Sequence, residues 1–473
     1  MAVESTSFLQ RFALRTCAWS ERWIPDAFVF AALAVIVVAG AAMSFGATPT
    51  SVATAFGDGF WSLITFTMQM CFVFIGGYAL ASSPPIARLV QWLAKVPGTG
   101  RGAVCWVATV SMLLSLLHWG LSVIVGCLLV RELAQRAELR MDYRAAGAAA
   151  YLGLGSVWAM GLSSSAAQLQ ANPASMPPGL LPITGVLPFT DTIFLWQSIA
   201  LTTVLIIVTL VIVWLTAPEG ASARTVEEVA APMAQPKPVA DSNAPSRPGE
   251  WLEHSPILNV LLALLGAGWL IHEFATKGAA KAIANLNSYN FLFLMAALLL
   301  CWRPRTFLDA ATRAVPGVAG VLIQFPLYGG IAAMMTAAPG LDGQPLAHHL
   351  AVFFSSAMTR DTFPVLMGIY SAVLGFFIPS GGGKWIIEAP YVMQAANDLK
   401  VHLGWAVQVY NAAEALPNLI NPFWMLPLLG ILGVKARDII GFTIVQFIVH
   451  VPLVLFMLWL FGTTLEYSPP VMP

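Results

Sequence analysis

The stretch FFIPSGGGKWIIEAPY, residues 376–391, sets a proline, a serine, three glycines and a lysine between two apolar runs. A helix absorbs successive glycines at about 1 kcal/mol each relative to alanine. Irregular backbone facing lipid would leave its polar groups unmet. The stretch therefore reads as the tip of a re-entrant hairpin. In such a tip Gly381, Gly382 and Gly383 are expected to take positive φ and let a ligand approach the backbone; the competing reading is that they only permit tight hairpin packing. The helix after it, from about Trp385, would aim its amides and positive dipole end at an anion. Ser380 offers a hydroxyl and Lys384 a cation at the same place.

The rest of the chain supplies the setting. Of its 473 residues, 58% are hydrophobic and 10% charged, and mean hydropathy is +0.76. A soluble chain normally carries about 25% charged residues. This is an all-α polytopic membrane protein, with the lipid bilayer as its solvent. Net charge is zero, which excludes a nucleic-acid footprint. The five cysteines stand singly, with no metal-ligand or disulfide spacing. No cofactor is expected, and no metal site. Nucleotide-loop, hydrolase-elbow and zinc-protease motifs are missing, so neither an ATP-driven pump nor an enzyme is indicated.

About nine spans are expected, near 24–45, 59–82, 145–165, 192–216, 256–274, 288–302, 314–337, 404–434 and 438–461. The first follows Arg11, Arg15 and Arg22 and reads as a retained helix. Further basic residues cluster in 83–102, 131–144 and 303–313, while 46–58, 166–191 and 338–350 have none. That bias places the N-terminus in the cytoplasm and the C-terminus outside. Trp61, Trp214, Trp251 and Trp459 read as interfacial belt residues. Segment 103–130 breaks the count, because both flanks are basic. A second hairpin, turning at His118–Gly120, resolves it; the competing reading is one ordinary long span with a misleading charge pattern.

The chain divides into an N-terminal arm and first helix (1–50), a first repeat (51–216, hairpin near 103–130) and a linker (217–255). Connecting helices (256–310), a second repeat (311–462, hairpin near 351–398) and a tail (463–473) complete it. The repeats share an order: QMCFVFIGGYALASSP (69–84) against QFPLYGGIAAMMTAAP (324–339), LHWG (117–120) against PSGGGKW, and MGLSSS (160–165) against LPNLINP (416–422). By the charge assignment the two start from opposite sides. Inverted repeats with interrupted helices are the layout of secondary transporters.

In the second interrupted helix, Glu414 and Asn418 share a face, and Pro417 and Pro422 free nearby carbonyls. A carboxylate within a span is a functional candidate, here for a coupling proton or sodium ion. The competing reading is an ion pair with Lys384 that holds the bundle together. Ser163, Ser164 and Ser165 offer hydroxyls in the first break, or simple interhelical glue. His118 can titrate near neutral pH or serve structurally. Glu388 reads as an acid in the first turn of its helix.

At these residues the chain resembles the short-chain fatty acid transporter family. The resemblance runs over essentially the whole chain outside 217–250. It rests on RWIPDAFVFAAL (22–33), FGDGFWSLITFTMQM (56–70), WGLSVIVGCLLVREL (119–133), QFPLYGGI (324–331), RDTFPV (360–365), PSGGGKWIIEAPYVMQAA (379–396) and NPFWMLP (421–427). It implies uptake of acetoacetate- and butyrate-type monocarboxylates by a secondary transporter with paired hairpins. The substrate-binding residues it and the motifs point to are Ser380, Gly381, Gly382, Gly383, Lys384, Trp119, Gly120, Ser163 and Asn421. Glu414, Asn418 and His118 are the coupling-ion candidates, with a proton or sodium ion as the ion. The chain departs from the family pattern at Lys384 (His), Glu388 (Gln), Asn421 (Gln) and His118 (Asn). A Lys384–Glu388 pair at i, i+4 would offset part of the added charge. Alternatives are a dicarboxylate or other organic-anion carrier, and a membrane-embedded acyl enzyme built on His118 with one of Ser163–Ser165. A homo-oligomer is compatible with any of these.

Overall fold

A computed structural model describes residues 27–177, 179–229, 247–378, 380–421 and 423–471. The N-terminal arginines, Pro379, Pro422 and much of the linker lie outside the described residues. Among the described residues the chain is helical, with β-structure limited to two isolated bridges. Seven helices among the described residues are long and apolar enough to cross a bilayer. Trp61, Trp214, Trp251 and Trp459 are all exposed at the protein surface, as belt residues would be.

Element order is shared by the two halves. Ile64–Ala81, the arms Gly100–Leu117 and Trp119–Ala134, a helix broken after Tyr143–Leu152, and Trp196–Thr216 make up the first. The second holds Ala319–Ala337, the arms Phe363–Phe377 and Gly381–Asp398, the broken helix Leu403–Asn418 and Ala436–Gly462. Polar residues start several of the helices. Thr48 accepts from Ser51 N–H at 3.2 Å, and Thr99 from Gly102 N–H at 3.1 Å. Asp142 accepts from the amides of Arg144 and Ala145 and pairs with the Arg144 guanidinium at 2.7 Å. Arg144, read above only as a topology signal, is thus also part of a helix start.

The structure redraws several boundaries. The expected span 59–82 is two helices, Pro49–Ser62 and Ile64–Ala81, meeting at Leu63 (φ −95°, ψ 5°). No glycine or proline marks that joint, and the run FWSLITF hides it. The first hairpin extends beyond 103–130, to Gly100 and Ala134, because the arms continue past the apolar core into Arg101 and Arg131. The first broken helix passes through a π-turn at Gly153–Val157 and a 3-10 turn to Met160 before restarting at Ser165. The second ends at Asn418 and resumes at Leu426–Leu432.

Small residues set the crossings. A Cβ on Gly59 would strike Ala333 and the carbonyl of Gly329, and one on Gly329 would strike Leu63 and the carbonyl of Gly59. The GDGFW and YGGI motifs therefore let Pro49–Ser62 and Ala319–Ala337 touch backbone to backbone.

Candidate functional site: two hairpin tips and a buried charge triad

Each return arm starts from a residue in extended conformation. His118 (φ −159°, ψ 107°) separates the first pair of arms, and Ser380 (φ −148°, ψ 102°) starts the return arm of the second. Both cap the helix that follows: His118 Nδ1 accepts from Leu121 N–H, and Ser380 Oγ from Gly383 N–H, each at 3.2 Å.

The next broken helix braces the tip of its own half. Ser163 N–H donates to the Leu116 carbonyl at 3.4 Å, and Asn421 Nδ2 donates to the Phe376 carbonyl at 3.0 Å. Both carbonyls lie in the last turn of a helix, where carbonyls have no acceptor role within the helix. Each tip also packs against the break of the other half. The Trp119 and Trp424 rings meet edge-on at 5.6 Å. A Cβ on Gly381 would strike the Trp158 ring, and one on Gly382 would lie 3.3 Å from Ser165 Cβ. The two broken helices are joined by Ser164 Oγ donating to Asn411 Oδ1 (3.0 Å) and Tyr151 Oη donating to the Asn418 carbonyl (2.9 Å).

The glycines differ from expectation. Gly381, Gly382 and Gly383 are the first turn of the helix Gly381–Asp398, and none has positive φ. They are small because rings crowd the tip: Trp158 at Gly381, Phe66 at Gly382 and Tyr328 at Gly383. Consequently the helix starts four residues before Trp385, and Glu388 lies beyond its first turn rather than capping it.

Lys384 also points elsewhere. It is fully buried, with Nζ 2.9 Å from Glu414 Oε2 and 3.1 Å from Glu388 Oε1. It donates as well to the Ser371 carbonyl (2.8 Å) and Oγ (2.7 Å), and lies 4.4 Å from the Tyr410 ring centre. The ammonium faces a carboxylate pair inside the protein, so its charge is already partnered. Both expected pairings of Lys384, with Glu388 at i, i+4 and with Glu414, are present together. Asn418, one turn on from Glu414, is buried, and its side-chain amide has no hydrogen-bond partner among the described residues.

A cleft of about 530 Å³ opens where the two tips approach each other. Trp119, Gly120 and Ser380 line it, together with Phe74, Gln324, Phe325 and Trp424. No charged side chain is among its described lining residues. Two helix N-termini, those of Trp119–Ala134 and Gly381–Asp398, begin at its edge. Gln324 was visible in the sequence only as a repeat marker. Here Tyr328 Oη donates to its Oε1 at 3.0 Å, which leaves the amide N–H groups to face other partners. Its repeat mate Gln69 is instead committed to Asn287 (2.9 Å) and Ser175 (3.0 Å).

His118 lies off the cleft. Its ring stacks on Tyr289 and meets Phe293 edge-on at 4.6 Å, in a space that Gly77 leaves open. It makes no hydrogen bond to the serines of the first break: Ser164 bonds Asn411, and Ser165 Oγ donates to Met70 Sδ at 3.8 Å. A nucleophile–base pair is not formed there.

Comparison with known proteins agrees with this architecture. A family model described as short chain fatty acid transporter matches residues 8–461. A protein from Escherichia coli K12 that carries the name short-chain fatty acid transporter is 34% identical over 438 residues, spanning 92% of this chain and 95% of its own. One of the same name from Haemophilus influenzae is 30% identical over 440 residues, with the same coverage of 92% and 95%. Two solved transporters share the fold. The Alcanivorax borkumensis YdaH transporter has TM-score 0.57 at 16% identity, covering 93% of this chain and 98% of its own. Neisseria gonorrhoeae MtrF, from a class of antimetabolite efflux pumps, has TM-score 0.58 at 12% identity, covering 97% and 100%.

Proposed function

The chain belongs to the short chain fatty acid transporter family and is a multi-pass membrane transporter rather than an enzyme; from that premise we propose that it moves butyrate- or acetoacetate-type monocarboxylates across the cytoplasmic membrane by alternating access. Uptake is coupled to a proton or sodium ion, and the N-terminus lies in the cytoplasm. The observation that carries this reading is the cleft reached by both tips.

One carboxylate suits that cleft. The Ser380 hydroxyl hydrogen and the Gln324 amide can donate to it, and two helix N-termini favour a negative charge there. The Trp119, Phe74, Phe325 and Trp424 rings take the alkyl tail, at about 0.8 kcal/mol per buried methylene. A dicarboxylate would bring a second negative charge to described walls without a cation. Gly381, Gly382 and Gly383 hold the tip against its aromatic neighbours, and Ser163 and Asn421 brace the tips. Gly120 gives the cleft its floor beside Trp119. Glu414 and Asn418 stand as the candidates for the coupling ion, with His118 in a capping and packing role.

The test is exchange of radiolabelled butyrate in proteoliposomes, competed by acetoacetate and by succinate. Exchange blocked by acetoacetate but untouched by succinate is the expected result. Competition by succinate as strong as by acetoacetate would replace the monocarboxylate reading with a dicarboxylate one.

A further inference from the structure

We propose that Lys384, Glu388 and Glu414 form a proton carrier that holds one proton in the geometry described here and exchanges it with water as the second hairpin moves. The inference rests on the transport reading above and adds the identity of its coupling ion.

Charge counting comes first. Two carboxylates lie within 3.1 Å of one ammonium, and all three side chains are buried. Fully ionised, the group carries one excess negative charge in a place closed to solvent. An ionised group left unbalanced in such an interior is costly. One proton on one carboxyl makes the group neutral.

Hydrogen-bond counting agrees. The ammonium has three hydrogens, and four oxygens lie within 3.1 Å of it: two of Ser371 and one from each carboxylate. It cannot satisfy all four at once. Glu414 Oε1 and Glu388 Oε2, the carboxylate oxygens turned from Lys384, are both buried and have no hydrogen-bond partner among the described residues. Either one takes an added proton without meeting the ammonium. A sodium ion would instead need several oxygens around it and would share the carboxylates with Nζ, cation against cation. The geometry favours a proton.

The surroundings keep the group dry. A Cβ on Gly375 would come within 3.0 Å of Glu414 Oε2 and 2.9 Å of Pro417 Cγ, so helix Phe363–Phe377 seals directly onto the triad. The titratable side chains that face it from the packed helices are tyrosines: Tyr410, Tyr391, Tyr370 and Tyr328. Tyr328 also holds Gln324 at the cleft, which places the substrate site and the triad on either side of one ring.

The cycle balances. Hydronium on the uptake side gives a proton to one of the two carboxylates: one hydronium O–H bond breaks, a carboxyl O–H bond forms and water is left. On the far side that bond breaks and water takes the proton. Carried beside RCOO⁻, the proton makes each turn electroneutral.

The test uses full-length protein in proteoliposomes with the membrane potential clamped, and infrared spectra of the same purified variants. Wild type should accumulate butyrate under an inward pH gradient, with no further gain from a sodium gradient. Glu388→Gln leaves Lys384 and Glu414 neutral as an ion pair, so accumulation should fall at least tenfold while the label still equilibrates. The double variant Lys384→Met/Glu388→Gln leaves a single carboxyl that is neutral only with its proton, so accumulation should return. The protonated-carboxyl stretch should be present in wild type and the double variant and lost in Glu388→Gln and Glu414→Gln. Accumulation by Glu388→Gln equal to wild type, sodium-driven uptake, or a wild-type spectrum without that stretch overturns the proposal. If wild type exchanges no butyrate at all, the transport reading fails, and the infrared result alone decides whether the triad holds a proton.

Discussion

His118 and Ser380 occupy equivalent places: each is the extended residue from which the return arm of a hairpin starts, and each caps that arm through a 3.2 Å bond to the amide three residues on. An imidazole and a hydroxyl thus do the same local work in the two halves. An N-cap side chain is worth about 1 kcal/mol relative to alanine, and asparagine is among the best caps. Thermal unfolding of the purified protein should separate His118→Ala from His118→Asn by about 1 kcal/mol in favour of asparagine. Both lose the ring between Tyr289 and Phe293, so the difference isolates the cap. Equal stability of the two would show that His118 acts through ring packing alone.

The tip glycines lead to a second prediction. Because their φ values are ordinary, their role lies in the space they leave for Trp158, Phe66 and Tyr328. Gly383→Ala and Gly381→Ala should each destabilise by about 1–3 kcal/mol, as overpacking does. Gly268→Ala, in helix Ile257–Lys277 with no neighbour within 4 Å of an added Cβ, should be neutral or stabilising by up to about 1 kcal/mol. Thermal unfolding of the three variants side by side decides it. Tip variants as stable as Gly268→Ala would mean that the rings yield.

These two cases show what was legible in the sequence. The breaks at LHWG, PSGGGKW, MGLSSS and LPNLINP announce themselves, because glycine, proline and clustered polar residues interrupt apolar helices. The conformation inside a break does not. Three glycines serve a strained turn or a crowded helix start equally well, and the difference lies in Trp158 and Tyr328, which are remote in the chain. Lys384 is similar: its partner Glu388 is visible at i, i+4, but the ammonium's direction depends on Glu414 and Ser371, on neighbouring helices. Leu63 was hidden because an apolar joint between helices has no composition signal. Gln324 stood out only as a repeat marker, since a cleft contact is a property of assembled helices.

Gln324 accordingly carries a third prediction. With Oε1 occupied by Tyr328, its amide is oriented to donate into the cleft. A hydrogen bond to a charged ligand contributes about 1.5–3 kcal/mol. Gln324→Ala should raise KM for butyrate exchange roughly tenfold or more. Gln324→Glu should cost more, by placing a second anion beside the substrate. Tyr328→Phe should weaken binding less than either, because it frees the amide to rotate without removing it. Exchange kinetics across the three provide the ranking, and a Gln324→Glu variant with wild-type KM would exclude the residue from the carboxylate site.

The last prediction concerns chain length. The Trp119 and Trp424 rings, 5.6 Å apart and edge-on, close one wall of a cleft whose polar groups, Ser380 and Gln324, lie with them in the same lining. If the carboxylate is held at those polar groups, the tail must end against aromatic surface. Replacing Trp424 with alanine then enlarges the apolar end and leaves the polar end intact. Each further methylene that gains burial adds about 0.8 kcal/mol, or roughly a fourfold gain in affinity. Trp424→Ala should therefore lose affinity for butyrate and shift the best competitor of labelled butyrate toward hexanoate or octanoate. Competition by the straight-chain acids from acetate to octanoate measures this directly. A uniform loss across all lengths would place the tail elsewhere and leave the Trp119–Trp424 contact as a brace between the first tip and the opposite half.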